Sequence, residues 1–160
     1  MTVLDIVQDA AARTLTVTAG FDAPPARVWQ IWADPRQLER WWGPPTYPAT
    51  VIDHDLRPGG AVTYFMTGPG GDKHHGWWRF VAVDSPRGLE FEDGFADDSG
   101  APDPTMPTMN VRVTLAPDGA GTRMLVVSTF PTLEAMEQLD AMGMVEGLRA
   151  AMGQIPALLA

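Results

Sequence analysis

Thr14-Leu15-Thr16-Val17-Thr18-Ala19 alternates polar and apolar residues at period two, the pattern of a strand with one buried face, and it is the first strand the chain predicts. Pro24-Pro25 then opens a helix where proline costs least, and Val28, Trp29 and Trp32 recur at the spacing of one apolar stripe. Asp34-Pro35 breaks that helix, and Pro35 opens a second short one expected to end near Trp41-Trp42-Gly43-Pro44. From Tyr47 to Phe130 the texture changes to strands separated by turn residues. The turns fall at Pro58-Gly59-Gly60, Gly68 to Asp72, Asp84 to Gly88 and Pro117 to Gly121. Strands are expected over Trp77 to Val83, Leu89 to Phe95, Val111 to Leu115 and Arg123 to Thr129, and successive hairpins of this kind build an antiparallel sheet.

Residues 96–107 carry Asp97, Asp98, Gly100, Asp103 and three prolines, and read as an exposed loop between two strands. After Pro131, Thr132 can cap a helix with Glu134 and Glu137 near its positive end. Met144, Leu148, Met152 and Ile155 recur on one helical face, so a long helix is expected to run to the C-terminus, bent at Gly143 and Gly147, with Pro156 kinking only its last turns. Together these elements predict an α+β fold: a strand, two short helices, a run of antiparallel strands, and a sheet that curls around the terminal helix. Residues 1–160 read as a single domain, with 1–12 as an N-terminal extension.

Composition narrows the function. A net charge of -9 repels a phosphate backbone and an anionic membrane surface, so no nucleic-acid partner is expected. No stretch approaches the roughly 20 apolar residues that cross a bilayer. Met1-Thr2-Val3-Leu4-Asp5 lacks the basic and apolar regions of a signal peptide, so the expected location is cytoplasmic, without membrane insertion. The absence of cysteine removes disulfides, thiolate metal sites and thiol nucleophiles. Six Trp, six Phe and two Tyr stand beside nine Met and only three His, a chain rich in pocket-lining residues and poor in ligands. Binding is therefore expected before catalysis.

The candidate chemistry is weak where it is looked for. His74 and His75 are strand neighbours that project to opposite faces and cannot readily hold one ion. His54 lies between Asp53 and Asp55, which share the face opposite to it, so no catalytic His–Asp pair is expected. Asp97, Asp98 and Asp103 fail the calcium-loop spacing. Ser85, Ser99 and Ser128 lack a nucleophile elbow, and the paired glycines lack a phosphate-loop lysine. Arg79, Glu90, Glu92 and Tyr64 lie on expected strands and read more simply as outward-facing polar or amphipathic residues. No catalytic residue, metal site or cofactor is assigned.

The order of WWGPP, DLRPGG, GWWRF and the terminal GMVEGL resembles the START-like, or helix-grip, superfamily. Within it the chain is similar to the family related to the activator of the heat-shock protein ATPase, also called polyketide cyclase-like or SRPBCC. The resemblance covers roughly Leu15 to Leu159. It implies a bent antiparallel sheet gripping a long C-terminal helix, with an apolar cavity between them that takes a small hydrophobic or amphipathic molecule. In such a fold the candidate lining residues are Trp42, Tyr64, Trp78, Phe80, Phe95, Met109, Met144, Leu148 and Met152, whereas Val28, Trp29 and Leu38 are ordinary core. Trp77 and Trp78 must point to opposite faces of a regular strand, and the sequence does not decide which looks inward. Two alternatives accompany the resemblance: an enzyme of the cyclase or hydrolase type using a polar cavity group, for which Arg79, Glu90, Glu92 and Tyr64 are the candidates, and a chaperone-regulating or protein-interaction module. The full eukaryotic-type activators carry a further chaperone-binding domain ahead of this one, and only about a dozen residues precede the first expected strand here, which argues against the co-chaperone role. Pairing of two copies through the sheet surface is a further possibility the pattern leaves open.

Overall fold

The computed structural model describes residues 3–160. The chain runs through β1 (Val3–Asp9), β2 (Thr14–Phe21), α1 (Pro25–Ala33), α2 (Pro35–Leu38), β3 (Ala49–His54), β4 (Ala61–Thr67), β5 (Lys73–Asp84) and β6 (Gly88–Phe95). It continues through β7 (Met109–Asp118), β8 (Gly121–Thr129), α3 (Leu133–Ala141), α4 (Met144–Met152) and α5 (Ile155–Leu159). All the strands join one sheet in the order β1-β2-β8-β7-β6-β5-β4-β3, antiparallel at every step. The architecture is α+β, with the sheet wrapped over helices at its concave face.

Strand parity builds that face. Leu15, Val17, Ala19 and Phe21 are buried on β2 while their neighbours are not. On the far side of the sheet, Val62 pairs with Trp78, Phe80 with Phe91, and Val113 with Val126, so inward residues stand in rows across the strands. Register shifts between Val51 and Asp53 and between Phe80 and Ala82 mark bulges in β3 and β5, the device by which a sheet bends. α1 presents Val28, Trp29, Ile31 and Trp32 to this core. Asp34 caps α2, its carboxylate accepting from the Arg36 amide at 2.9 Å and from Gln37 Nε2 at 3.1 Å.

Three expectations need correction. The sheet does not start at Thr14: of the expected N-terminal extension 1–12, Val3–Asp9 forms β1, paired with β2 from Val3↔Gly20 to Asp9↔Thr14, while Met1 and Thr2 lie outside the described residues. Leu4 and Ile6 pack on the core from β1, and two inward residues are too short a run for the period to stand out. The terminal helix is not continuous either. Gly143, in the left-handed region at φ 85°, separates α3 from α4, and Gly153 with Gln154 separates α4 from α5, whereas Gly147 lies inside α4. The second short helix also stops earlier than expected, at Leu38, leaving Trp41 and Trp42 in turns.

The segmented helices are tied down by side chains. Arg27 on α1 donates to the Leu158 carbonyl at 2.8 Å and to Gln37 Oε1 at 2.7 Å, joining α5 to α1 and α2. Gln154 donates to the Gly43 carbonyl at 2.7 Å, which fixes the junction of α4 and α5 against the turn that follows Trp42. Thr132 caps α3 as expected, its hydroxyl accepting from the Ala135 amide at 3.0 Å.

Candidate ligand-binding cavity

Between the sheet and α3–α4 lies a cavity of about 310 Å³. The sheet supplies Leu15, Phe95, Met109, Val111 and Val126, the segment after α2 supplies Trp42, Pro44 and Tyr47, and the helices supply Leu139, Met144, Leu148 and Met152. Met142 and Gly143, at the break between α3 and α4, form part of the same wall. The interruption of the terminal helix thus falls at the cavity.

Of the nine residues expected from sequence, the structure brings together Trp42, Phe95, Met109, Met144, Leu148 and Met152 on this wall. Tyr64, Trp78 and Phe80 are not on it. All are buried on the concave face, but behind Trp42: the Trp42 and Trp78 rings meet edge-on at 4.7 Å, Trp42 and Tyr64 at 6.2 Å, and Phe80 packs on Trp78 at 6.3 Å. They are the backing of the cavity. The question left open at Trp77 and Trp78 is decided by the register. Trp78 faces inward with no exposed surface, and Trp77 lies on the convex face, where its Nε1 donates to the Phe95 carbonyl at 3.0 Å.

Two polar side chains reach the cavity that sequence reasoning missed. Asp93 is 7% exposed and sits on β6 opposite Trp78 of β5 and Met109 of β7. Ser128 is buried on β8 between Leu15 and Val111. A signal for both existed: Leu89, Phe91, Asp93, Phe95 and Met124, Val126, Ser128, Phe130 are inward rows at period two, each with one polar residue in an apolar register.

Residues 22–160 match the family model described as Activator of Hsp90 ATPase homolog 1-like protein. The chain belongs to this family. A crystal structure of a Mycobacterium smegmatis protein is 50% identical, with a TM-score of 0.91 over 99% of this chain and 98% of that one. A solution structure of an Arthrobacter aurescens protein is 48% identical, with a TM-score of 0.93 over 97% of this chain and 90% of that one. A more distant Staphylococcus epidermidis protein is 27% identical, with a TM-score of 0.83 over 96% of this chain and 92% of that one. No curated protein matches the chain.

In this member of the activator-like family, the electrostatics of the cavity centre on Asp93. Burial pushes its carboxyl up to about 8, against the pull of the Gly94 amide, which donates to it. Tyr64 is also pushed up, first by burial and then by the Asp93 charge. The other polar candidates behave as outward chemistry. Glu90 accepts from Asn110 at 2.9 Å and from Arg112 at 3.1 Å, Asp53 accepts from Thr63 at 2.6 Å, and Asp55 pairs with Arg57 at 2.7 Å. His54 contacts the Trp32 carbonyl at 3.0 Å through Nε2. His74 pairs with Asp72 on the exposed turn side. In the loop 96–107, Asp97 accepts from Ser99 and Ala101, and Asp103 from Thr105, so the acidic residues wind the loop on itself. Among the described residues no group of three His, Asp or Glu gathers as a metal site, and no helix is long and apolar enough to cross a membrane.

Proposed function

We propose that the protein binds a small hydrophobic or amphipathic molecule in the cavity between its sheet and its C-terminal helices. The observation that carries this reading is the cavity itself: about 310 Å³ walled by aromatic and thioether side chains and holding two buried polar groups, Asp93 and Ser128. That is the composition of small-molecule sites, in which a mostly apolar wall supplies affinity and a few polar groups set orientation. Methionines at positions 66, 109, 144 and 152 give the wall a deformable surface that fits ligands of varied shape.

Two features favour binding over the alternatives. Acid–base chemistry asks for convergent ionisable groups, and of the two in the lining Asp93 stands inside while Tyr47 stands at the rim. An interaction module would bury its interior fully and show a contiguous apolar surface. Here the exposed large apolar residues among the described residues are Val7, Tyr47, Ile52, Val81, Leu133 and Met142, of which Tyr47 and Met142 belong to the cavity lining and the others come from β1, β3, β5 and the start of α3.

The test is native mass spectrometry of protein purified under mild conditions from its own cytoplasm, followed by organic extraction. A stoichiometric apolar molecule is the expected result. An empty protein whose melting temperature is unmoved by apolar probes would overturn the reading.

A further inference from the structure

The class of ligand can be argued from the charges of the wall, an inference that rests on the binding reading above. Asp93 and Tyr47 are the ionisable side chains of the lining, which contains no lysine, arginine or histidine. Tyr47 is 37% exposed and stands at the rim; Asp93 is 7% exposed and stands inside. Among the described residues no side chain hydrogen-bonds to the Asp93 carboxyl, and the Gly94 amide is its donor. An isolated carboxylate in an apolar pocket is costly unless it keeps its proton or gains a counter-ion.

Ligand head groups divide on that carboxyl. A carboxylate or phosphate would bring its charge into an apolar wall without a cation to meet it. An alcohol or ketone gains one neutral hydrogen bond. A protonated amine supplies the missing counter-ion, and it is drawn further by aromatic faces. Two indoles, Trp32 and Trp42, line the same cavity. Trp42 rests edge-on against Trp78, the residue opposite Asp93, with ring centroids 4.7 Å apart, and Trp32 lies 6.4 Å from Trp42. Carboxyl and indoles therefore share one end of the cavity, while Val126, Leu139 and Leu148 line the rest.

We propose that the cavity recognises a lipophilic amine, its protonated nitrogen held between the Asp93 carboxylate and the Trp42 and Trp32 rings, and its apolar body lying against Met109, Val126 and Leu148. Because burial keeps the empty site's carboxyl protonated up to about 8, binding near neutral pH expels a proton: the ammonium ion pairs with carboxylate, and the carboxyl proton passes to solvent. Tyr64, from β4, is the other titratable group beside Asp93; its hydroxyl, pushed further up, keeps its proton throughout.

The experiment is isothermal titration calorimetry of the full chain near neutral pH with n-octylamine, n-octanol and n-octanoate. It is run in buffers of different ionisation enthalpy, on the wild type and on Asp93→Asn. Octylamine is expected to bind at least about tenfold tighter than octanol, and octanoate weakest. Close to one proton should be released with octylamine and none with octanol. In Asp93→Asn, checked for native near-ultraviolet dichroism, the advantage of octylamine over octanol and the proton release should both vanish. Octanol binding as tightly as octylamine, or an amine preference that survives Asp93→Asn, overturns the amine inference and leaves the cavity reading standing. If none of the three probes binds, both fall.

Discussion

Asp93 stands directly opposite Trp78 in the β5–β6 ladder, so a buried carboxyl adjoins an indole that itself stacks on Phe91 at 3.9 Å with planes 15° apart. The wall that makes the site dry also sets its proton affinity. Burial raises the Asp93 pKa to about 8 in the folded protein, against the ordinary aspartate value of 3.8, so between those limits the native state holds a proton that the unfolded chain has released. Stability then falls as pH rises through this window, by at most about 1.4 kcal/mol per pH unit. The exposed carboxylates Asp72, Asp84 and Asp97 have lowered values and act oppositely, losing their contribution as pH drops through the acid range. Urea midpoints of wild type and Asp93→Asn at several pH values separate the two. The wild type should lose ground to the variant steadily from mildly acidic to mildly alkaline pH, and a constant difference would refute the raised pKa.

Trp78 contributes to stability rather than to ligand contact. It is fully buried among Trp32, Trp42, Phe80 and Phe91, and its Nε1 has no hydrogen-bond partner. Trp78→Ala should cost roughly 3–5 kcal/mol in chemical denaturation. Trp78→Phe keeps a ring over Phe91 and removes the unpaired donor, so it should cost less than about 1.5 kcal/mol. Equal losses in the two variants would show that the stack is not what holds this region.

Much of the fold was legible because local chemistry and tertiary role agree. Pro25, Asp34 and Thr132 each announce a helix start, and each stands at one. The failures share a cause, which is that the deciding partner lies far along the chain or in the backbone. β1 is held by pairing with β2 and carries only Leu4 and Ile6 on its inward side. The terminal helix breaks because Gly143 takes a left-handed φ, whereas the equally small Gly147 does not. At the site, parity identifies which strand residues face inward but not which are covered. Trp78 and Phe95 share a face, yet Trp42, from a different segment, lies over Trp78 and leaves Phe95 on the cavity. Asp93 is readable as the one charged residue in the inward row Leu89, Phe91, Asp93, Phe95, whereas its burial depends on the strands paired on either side.

On the convex face, Gly94 is required by Trp77. A Cβ at Gly94 would lie 2.5 Å from the Trp77 ring, which crosses it to donate from Nε1 to the Phe95 carbonyl. Gly94→Ala must displace that ring and break the bond, at a cost of roughly 1–3 kcal/mol. The Trp77 indole proton should shift in the NMR spectrum while octanol affinity stays as in the wild type, since this ring is outside the cavity wall. An unmoved indole resonance would sink the argument.

Leu148 is the position from which the cavity can be filled. It is partly buried on α4 and packs against both core clusters, the aromatic one under the sheet and the smaller one formed by Leu15, Phe130, Met136 and Leu139. Leu148→Trp adds an aromatic ring where open volume of about 310 Å³ can take it, so the larger side chain buries new apolar area without displacing neighbours. The melting temperature should hold or rise, and heats of binding for octylamine and octanol should both disappear. Met152 is the comparison: it lines the same cavity but is 2% exposed and already seated in the main cluster. Met152→Trp should overpack that seat and cost roughly 1–3 kcal/mol. Undiminished binding in a stable Leu148→Trp protein would mean that the ligand sits elsewhere, while loss of stability at Leu148 equal to that at Met152 would mean that the cavity closes in solution.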